Sequence, residues 1–243
     1  MKKANRAWLL IPALMLVGLP LGAAAQWEKK AATEWNDKDA QRVLSDSPWA
    51  RTQVFTSPVT LFRSPVTEGP QRPGSTATGV ANATHINFHV RFFSARPIRQ
   101  ALARQIIVKQ KQPISDDMLA QLKSFTGGEF KEYIVITITC DSQEAGANVR
   151  EAQGLLMGRG TADLKNITFL EIKGGKRIFL EEYQRPMQDG IGARFIFPRL
   201  VDGKPFITPE SEEIHFYAEL DTTYRLDRRF KVKEMMYEGK LEY

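Results

Sequence analysis

Between His85 and Phe93 the chain alternates with a period of two. Ile86, Phe88, Val90 and Phe92 fall on one side, and His85, Asn87, His89 and Arg91 fall on the other. That is the signature of a strand with one apolar face and one polar face. Residues 52–62 also read as extended, although Pro58 confines them to an edge or a bent strand. A third strand runs over 130–140, where Ile134, Ile136, Ile138 and Cys140 share a face. From Asn166 onwards the pattern is all strand. Segments at 167–172 and 177–183 flank a turn carrying Gly174 and Gly175, which supply the positive φ angles of a tight hairpin. Further strands are expected at 193–197, 214–220 and 230–236, with turns at Asp189-Gly190 and Asp202-Gly203.

Three stretches change the period from two to 3.6. Between Trp35 and Trp49, Asn36 caps a short helix that has Asp37 and Asp39 in its first turn and Pro48 at its end. Pro97 opens a second helix, with Ile98, Ala101, Leu102 and Ile106 as its stripe and Arg99 and Arg104 elsewhere. Ser115 caps a third, which offers Met118, Leu119, Leu122 and Phe125 and stops at Gly127-Gly128. The last two form a helical hairpin, and a weaker helix capped by Asn148 follows. Helices in one block and strands in another predict an α+β fold, with a largely antiparallel sheet in the C-terminal half.

The organisation along the chain reads as four segments. Residues 1–25 carry Lys2, Lys3 and Arg6, an apolar run of about 15 residues and a small-residue Ala23-x-Ala25 end. This describes a cleaved secretory signal, too short for the ~20 residues of a spanning helix. Residues 26–63 hold the Trp-rich helix and first strand. Residues 64–82 form a flexible linker rich in Pro, Gly, Ser and Thr, and 83–243 form the α+β body with its β-rich end. The expected destination is the periplasm or the medium, with no transmembrane helix in the mature chain.

Composition adjusts this picture in two places. The 243 residues carry a net charge of +6, but removal of the signal leaves 31 Lys and Arg against 28 Asp and Glu, a net +3. So modest a charge gives no reason to expect nucleic acid. The one cysteine, Cys140, has no internal partner for a disulfide and is expected to act as a small buried hydrophobe beside Asp141.

Candidate chemistry is sparse. No G-x-S-x-G elbow and no GK[ST] phosphate loop is present. Adjacent carboxylates such as Glu181-Glu182 point to opposite faces of a strand. His85 and His89 share a polar strand face but stand about 13 Å apart, too far to clasp one ion, so neither metal nor cofactor is expected. His215 lies on a polar face with Glu213, Tyr217 and Glu219. Arg229, Lys231 and Lys233 are expected to share one strand face that meets anionic groups. Trp35 and Trp49 read either as a stacking platform for a sugar or partner, or as staples holding the first helix to the body. These eight residues are the candidate binding set. The partners they suggest are another envelope protein, a glycan or an anionic surface. The terminal alternation of Met235, Tyr237, Gly239, Leu241 and Tyr243 also fits the last strand of an outer-membrane barrel.

Trp35 with DSPWA (46–50), VRFFSARPIRQALAR (90–104), EYIVITIT (132–139) and the closing GKLEY resemble a group of uncharacterised exported bacterial proteins of the acidobacterial type. The resemblance covers most of the mature chain. It implies export and no particular activity. The reading favoured by the residues is therefore an exported, non-enzymatic binding or envelope-associated protein. A hydrolase of an envelope or extracellular polymer, using scattered acids with His89 or His215, is the alternative, and an outer-membrane β protein is the second.

Overall fold

The computed structural model describes residues 27, 30–57, 84–144 and 149–243. The expected signal, the linker at 64–82 and the Asn148 cap lie outside these residues. The fold is α+β and every strand pairing is antiparallel.

Helix α1 (Asp37–Ser45) begins at a reciprocal cap: the Asn36 side chain accepts from the Asp39 N–H, and the Asp39 carboxylate accepts from the Asn36 N–H. Strands β1 (Ala50–Ser57) and β2 (Thr84–Phe92) follow, then α2 (Arg96–Lys109) and α3 (Asp116–Gly127) as the helical hairpin. Next come β3 (Tyr133–Asp141), α4 (Val149–Gly158), the short α5 (Thr161–Leu164) and β4 (Thr168–Ile172). The rest is strand and turn: β5 (Arg177–Phe179), β6 (Glu182–Gln184), β7 (Ala193–Pro198), β8 (Leu200–Val201), β9 (Lys204–Pro205), β10 (Glu213–Glu219), β11 (Arg225–Lys231), β12 (Met236–Tyr237) and β13 (Lys240–Leu241).

Two sheets face each other. One has the order β1-β2-β3-β7-β6 and the other β11-β10-β4-β5. Register puts Phe88, Val90 and Phe92 on the same face as Ile136, Ile138, Phe195 and Phe197, all buried. The facing sheet contributes Leu170, Phe216 and Phe230. Edge-on ring contacts stitch the layers together, Phe92 to Phe230 at 4.8 Å and Phe195 to Phe216 at 5.8 Å.

The sheets are joined at both edges. On one side the chain changes sheet within two residues: the Leu180 N–H donates to the Thr168 carbonyl, and the next N–H, of Glu181, donates to Ile196. The single strand expected over 177–183 is therefore two, β5 and β6, one in each sheet. On the other side Gln53 of β1 replaces a strand ladder. Its amide nitrogen donates to the Arg225 carbonyl, and its amide oxygen accepts from the Asp227 N–H and from Arg228 Nε.

Other expectations need correction. The strand expected at 230–236 ends at Lys231, and Val232–Glu234 form a 3₁₀ turn. Val232 and Met235 are both fully buried; three residues per turn puts them on one side, whereas a strand would point them apart. Lys233 thus leaves the strand face of Arg229 and Lys231. The terminal alternation forms no long strand either. Glu238 and Gly239 adopt positive φ (48° and 79°) and fold it into the β12–β13 hairpin, while the Tyr243 hydroxyl, inside the body, donates to the Ile207 carbonyl. Of the apolar side chains expected to bury on α3, Leu122 alone does so, and Arg99, expected outside, is 3% exposed.

Candidate binding groove

The sequence candidates fall into three places. The first is the polar face of the five-stranded sheet. α1 lies over it, since Arg91 Nε donates to the Leu44 carbonyl and the Thr52 hydroxyl lies 2.9 Å from the Ser45 carbonyl. His89, expected in solvent, is therefore buried at 7% exposure, and Arg91 with it. His89 Nδ1 lies 2.9 Å from the Thr52 hydroxyl and Nε2 lies 2.9 Å from Asp141 Oδ2. Burial first, and the Arg91 charge second, hold this imidazole below its ordinary value, so it is neutral near pH 7. A carboxylate only accepts, so Nε2 carries the proton that faces Asp141, and the one Thr52 hydroxyl proton has two acceptors within 2.9 Å, the Ser45 carbonyl and Nδ1.

Hydroxyl, imidazole and carboxylate are thus in line, as a nucleophilic triad requires. The remaining requirements are missing at this spot among the described residues. Asp141 is itself over half exposed, and neither Thr52, His89 nor Asp141 lines any of the five principal cavities. At the end of the same strand, His85 accepts a clasp from one acid, its N–H and Nδ1 each 2.7 Å from a Glu144 oxygen. Cys140 is half-buried against the core, and burial pushes its thiol up to about 11, which leaves it protonated and unreactive.

The second place is the outer face of the four-stranded sheet. His215 Nε2 lies 2.9 Å from Asp227, Arg229 pairs with Glu213 at 2.8 Å, and Lys231 pairs with Glu234 at 3.2 Å. Phe169 and Tyr217 stack at 5.1 Å, with Arg177 over the other side of Phe169 at 4.3 Å. These rings are sandwiched by one another and their partners, so this face is a satisfied cross-strand ladder. Each of the three histidines has its own carboxylate, and the described residues bring no three metal-ligating side chains together.

The third place is a groove of about 750 Å³ between α1, the start of β1 and the C-terminal hairpin. Here the structure joins two sequence candidates that lie far apart in the chain, Trp49 and Lys233. Trp35 and Trp49 are 0% and 1% exposed, so neither offers a ring face for stacking, and they are not a platform. They build the wall: Trp27 packs edge-on to Trp35 at 6.0 Å and to Trp49 at 6.1 Å, and Trp49 to Tyr237 at 5.8 Å. Trp35 Nε1 donates to the Trp27 carbonyl and Trp49 Nε1 to the Glu242 carbonyl. Trp27 Nε1 is buried at the wall with no partner among the described residues.

Most charges lining the groove are already neutralised. Lys30 pairs with Asp39 at 2.8 Å, Arg51 sits between Asp46 at 3.1 Å and Glu234 at 3.9 Å, and Glu238 pairs with Arg96. Arg42 and Lys233 have no ion-pair partner among the described residues. The surplus is therefore positive and borne by two exposed, mobile-stemmed side chains above aromatic walls. Such a lining attracts an anionic polymer without holding any reactive group against it.

Sequence reading missed Arg42, Arg51 and Tyr237 as groove residues. Only the density of Trp near Arg42 and Arg51 marked that stretch, and nothing in it indicates that residues 233–238 fold back onto it. No protein-family model, curated protein or solved structure matches the chain at a significant level.

Proposed function

We propose that the chain is an exported, non-enzymatic binding protein of the bacterial envelope, and that its groove takes a segment of anionic glycan. The observation that carries this reading is the pairing of Arg42 and Lys233, cations unmatched among the described residues, with the aromatic wall of Trp27, Trp49 and Tyr237 in one open groove. The half-buried Tyr237 offers the sugar body an aromatic edge and the two exposed cations select its acidic substituents, while Trp27 and Trp49, buried behind it, fix the shape of the groove. The signal-like residues 1–25 support an extracytoplasmic ligand. The hydrolase reading is weaker because the two candidate general bases, His89 and His215, pair with carboxylates that are both more than half exposed, and neither lines a principal cavity.

Tryptophan fluorescence tests the proposal, because two of the wall residues are tryptophans. Titration with oligogalacturonate is expected to give a saturable change, and Arg42→Gln with Lys233→Gln is expected to weaken binding at least about tenfold. Absence of a saturable change, or undiminished affinity in the double variant, would defeat it.

A further inference from the structure

On the far side of the β12–β13 hairpin from the groove lies a second cavity, of about 450 Å³. It is enclosed by the start of α2, the residues after α3, Arg199 at the end of β7, and β13. Two of the four stretches that carry the sequence resemblance meet here, with Arg96 and Arg99 from one and Lys240 and Glu242 from the other.

Five cationic side chains line this pit: Arg96, Arg99, Lys131, Arg199 and Lys240. Against them stand three carboxylates, Glu129 and Glu242 in the lining and Glu238 on Arg96, which leaves at most two positive charges in excess. Glu242 is committed, accepting the Arg96 N–H at 3.0 Å. Arg99 spends its donors on carbonyls alone, those of Phe93, Ser94, Phe125, Thr126 and Gly128, so its charge is held in place but not cancelled. Arg199 donates from Nη1 to the Tyr243 carbonyl at 2.7 Å and lies 3.8 Å over the Tyr243 ring; its Nε and Nη2 have no partner among the described residues. Lys240 likewise has none.

Two independent features point to a missing anion. Arg96 Nε is buried with the Glu242 carboxylate opposite it at 4.0 Å, too far for a hydrogen bond. The 14-residue α2 starts at the pit with no side-chain cap on Ala95 and no acidic residue in its first turn, so the positive end of its dipole is met by Glu242 alone.

We infer that this pit is a binding site for a phosphomonoester, with the phosphate held by Arg199 and Lys240 beside the head of α2. A dianion suits a pit with this positive excess better than a neutral ligand does, and the guanidinium edge that Arg199 leaves free reads a phosphate two oxygens at a time. The cavity is larger than a bare phosphate needs, and Phe130, Leu200, Pro205 and Leu241 give its wall apolar surface for the organic remainder. The site does not depend on the glycan groove.

Isothermal titration at fixed ionic strength tests this with two probes, inorganic phosphate and glycerol 3-phosphate. Both are expected to bind saturably, with Kd below about 1 mM, and the ester more tightly. Lys240→Gln and Arg199→Gln are each expected to weaken binding about tenfold or more, whereas Lys233→Gln in the groove leaves it unchanged. Lys240 is exposed, so its variant keeps the test sound even if Arg199→Gln misfolds. No saturable heat with either probe, or full affinity in Lys240→Gln, would overturn the site. Equal affinity for the two probes would overturn the ester in favour of free phosphate.

Discussion

The two sheets carry the same alternation and treat their polar positions in opposite ways. On β2 and β3 the residues between the core positions, His89, Arg91 and Thr137, are 7%, 7% and 1% exposed. On β10 and β11 the equivalent residues Glu213, Asp227 and Arg229 remain at the surface in ion pairs, with the His215 ring half-buried among them. The difference is a second layer: α1 lies on the first sheet, and no described helix has been drawn over the Phe169–Tyr217–His215 row of the second. Alternation therefore assigns a side chain to a face, while cover decides whether that face is wet. A polar residue under cover must find protein partners, and Arg91 and Arg99 find main-chain carbonyls.

The largest test of this contrast replaces one arginine in each region. Arg91→Met strands the Leu44 carbonyl and the Thr139 hydroxyl beneath α1 and is expected to cost about 3 kcal/mol in urea unfolding. Arg229→Met removes an exposed pair and is expected to stay within about 0.5 kcal/mol. Similar losses in the two variants would mean that cover does not set the value of the polar group.

A smaller effect is expected where the two sheets meet. Gln53→Ala leaves the Arg225 carbonyl and the Asp227 N–H without their partner, which is expected to lower stability by about 1–3 kcal/mol. Hydrogen exchange should show faster opening of β11 than of β3 in that variant, and uniform exchange would place the loss elsewhere.

The smallest effect is a pH dependence confined to the covered sheet. His89 is held below the ordinary value of 6.5, so on acidification the unfolded chain takes up the proton first. Its contribution is complete above pH 6.5 and is lost as the pH falls towards the lower folded value. Thermal melts from pH 7.5 to 5 should show a shallower decline for His89→Gln than for the parent. An unchanged slope would assign the acid sensitivity to other groups.

Much of the architecture was legible in the sequence because each element carries its own period and punctuation. Asn36, Pro97 and Ser115 mark helix starts, and Gly174 with Gly175 (φ 106° and 88°) turns a hairpin. What escaped was decided by tertiary contact. Leu180 and Glu181 are consecutive in one apolar run, yet their N–H groups serve different sheets. Lys233 continues the basic spacing of Arg229 and Lys231, but the burial of Val232 and Met235 winds the backbone out of the strand. The binding candidates suffered most. Trp49 and Lys233 lie at opposite ends of the chain, and only the folded hairpin makes them neighbours.

Arg96 fastens that hairpin at more than one point, beside the Trp49 contacts to Tyr237 and Glu242. Arg96 grips the Tyr237 ring at 5.2 Å and the Glu238 carboxylate with its side chain, while its main chain holds Glu242. The groove and the pit thus share a party wall, and a change that loosens Arg96 slackens both chambers together.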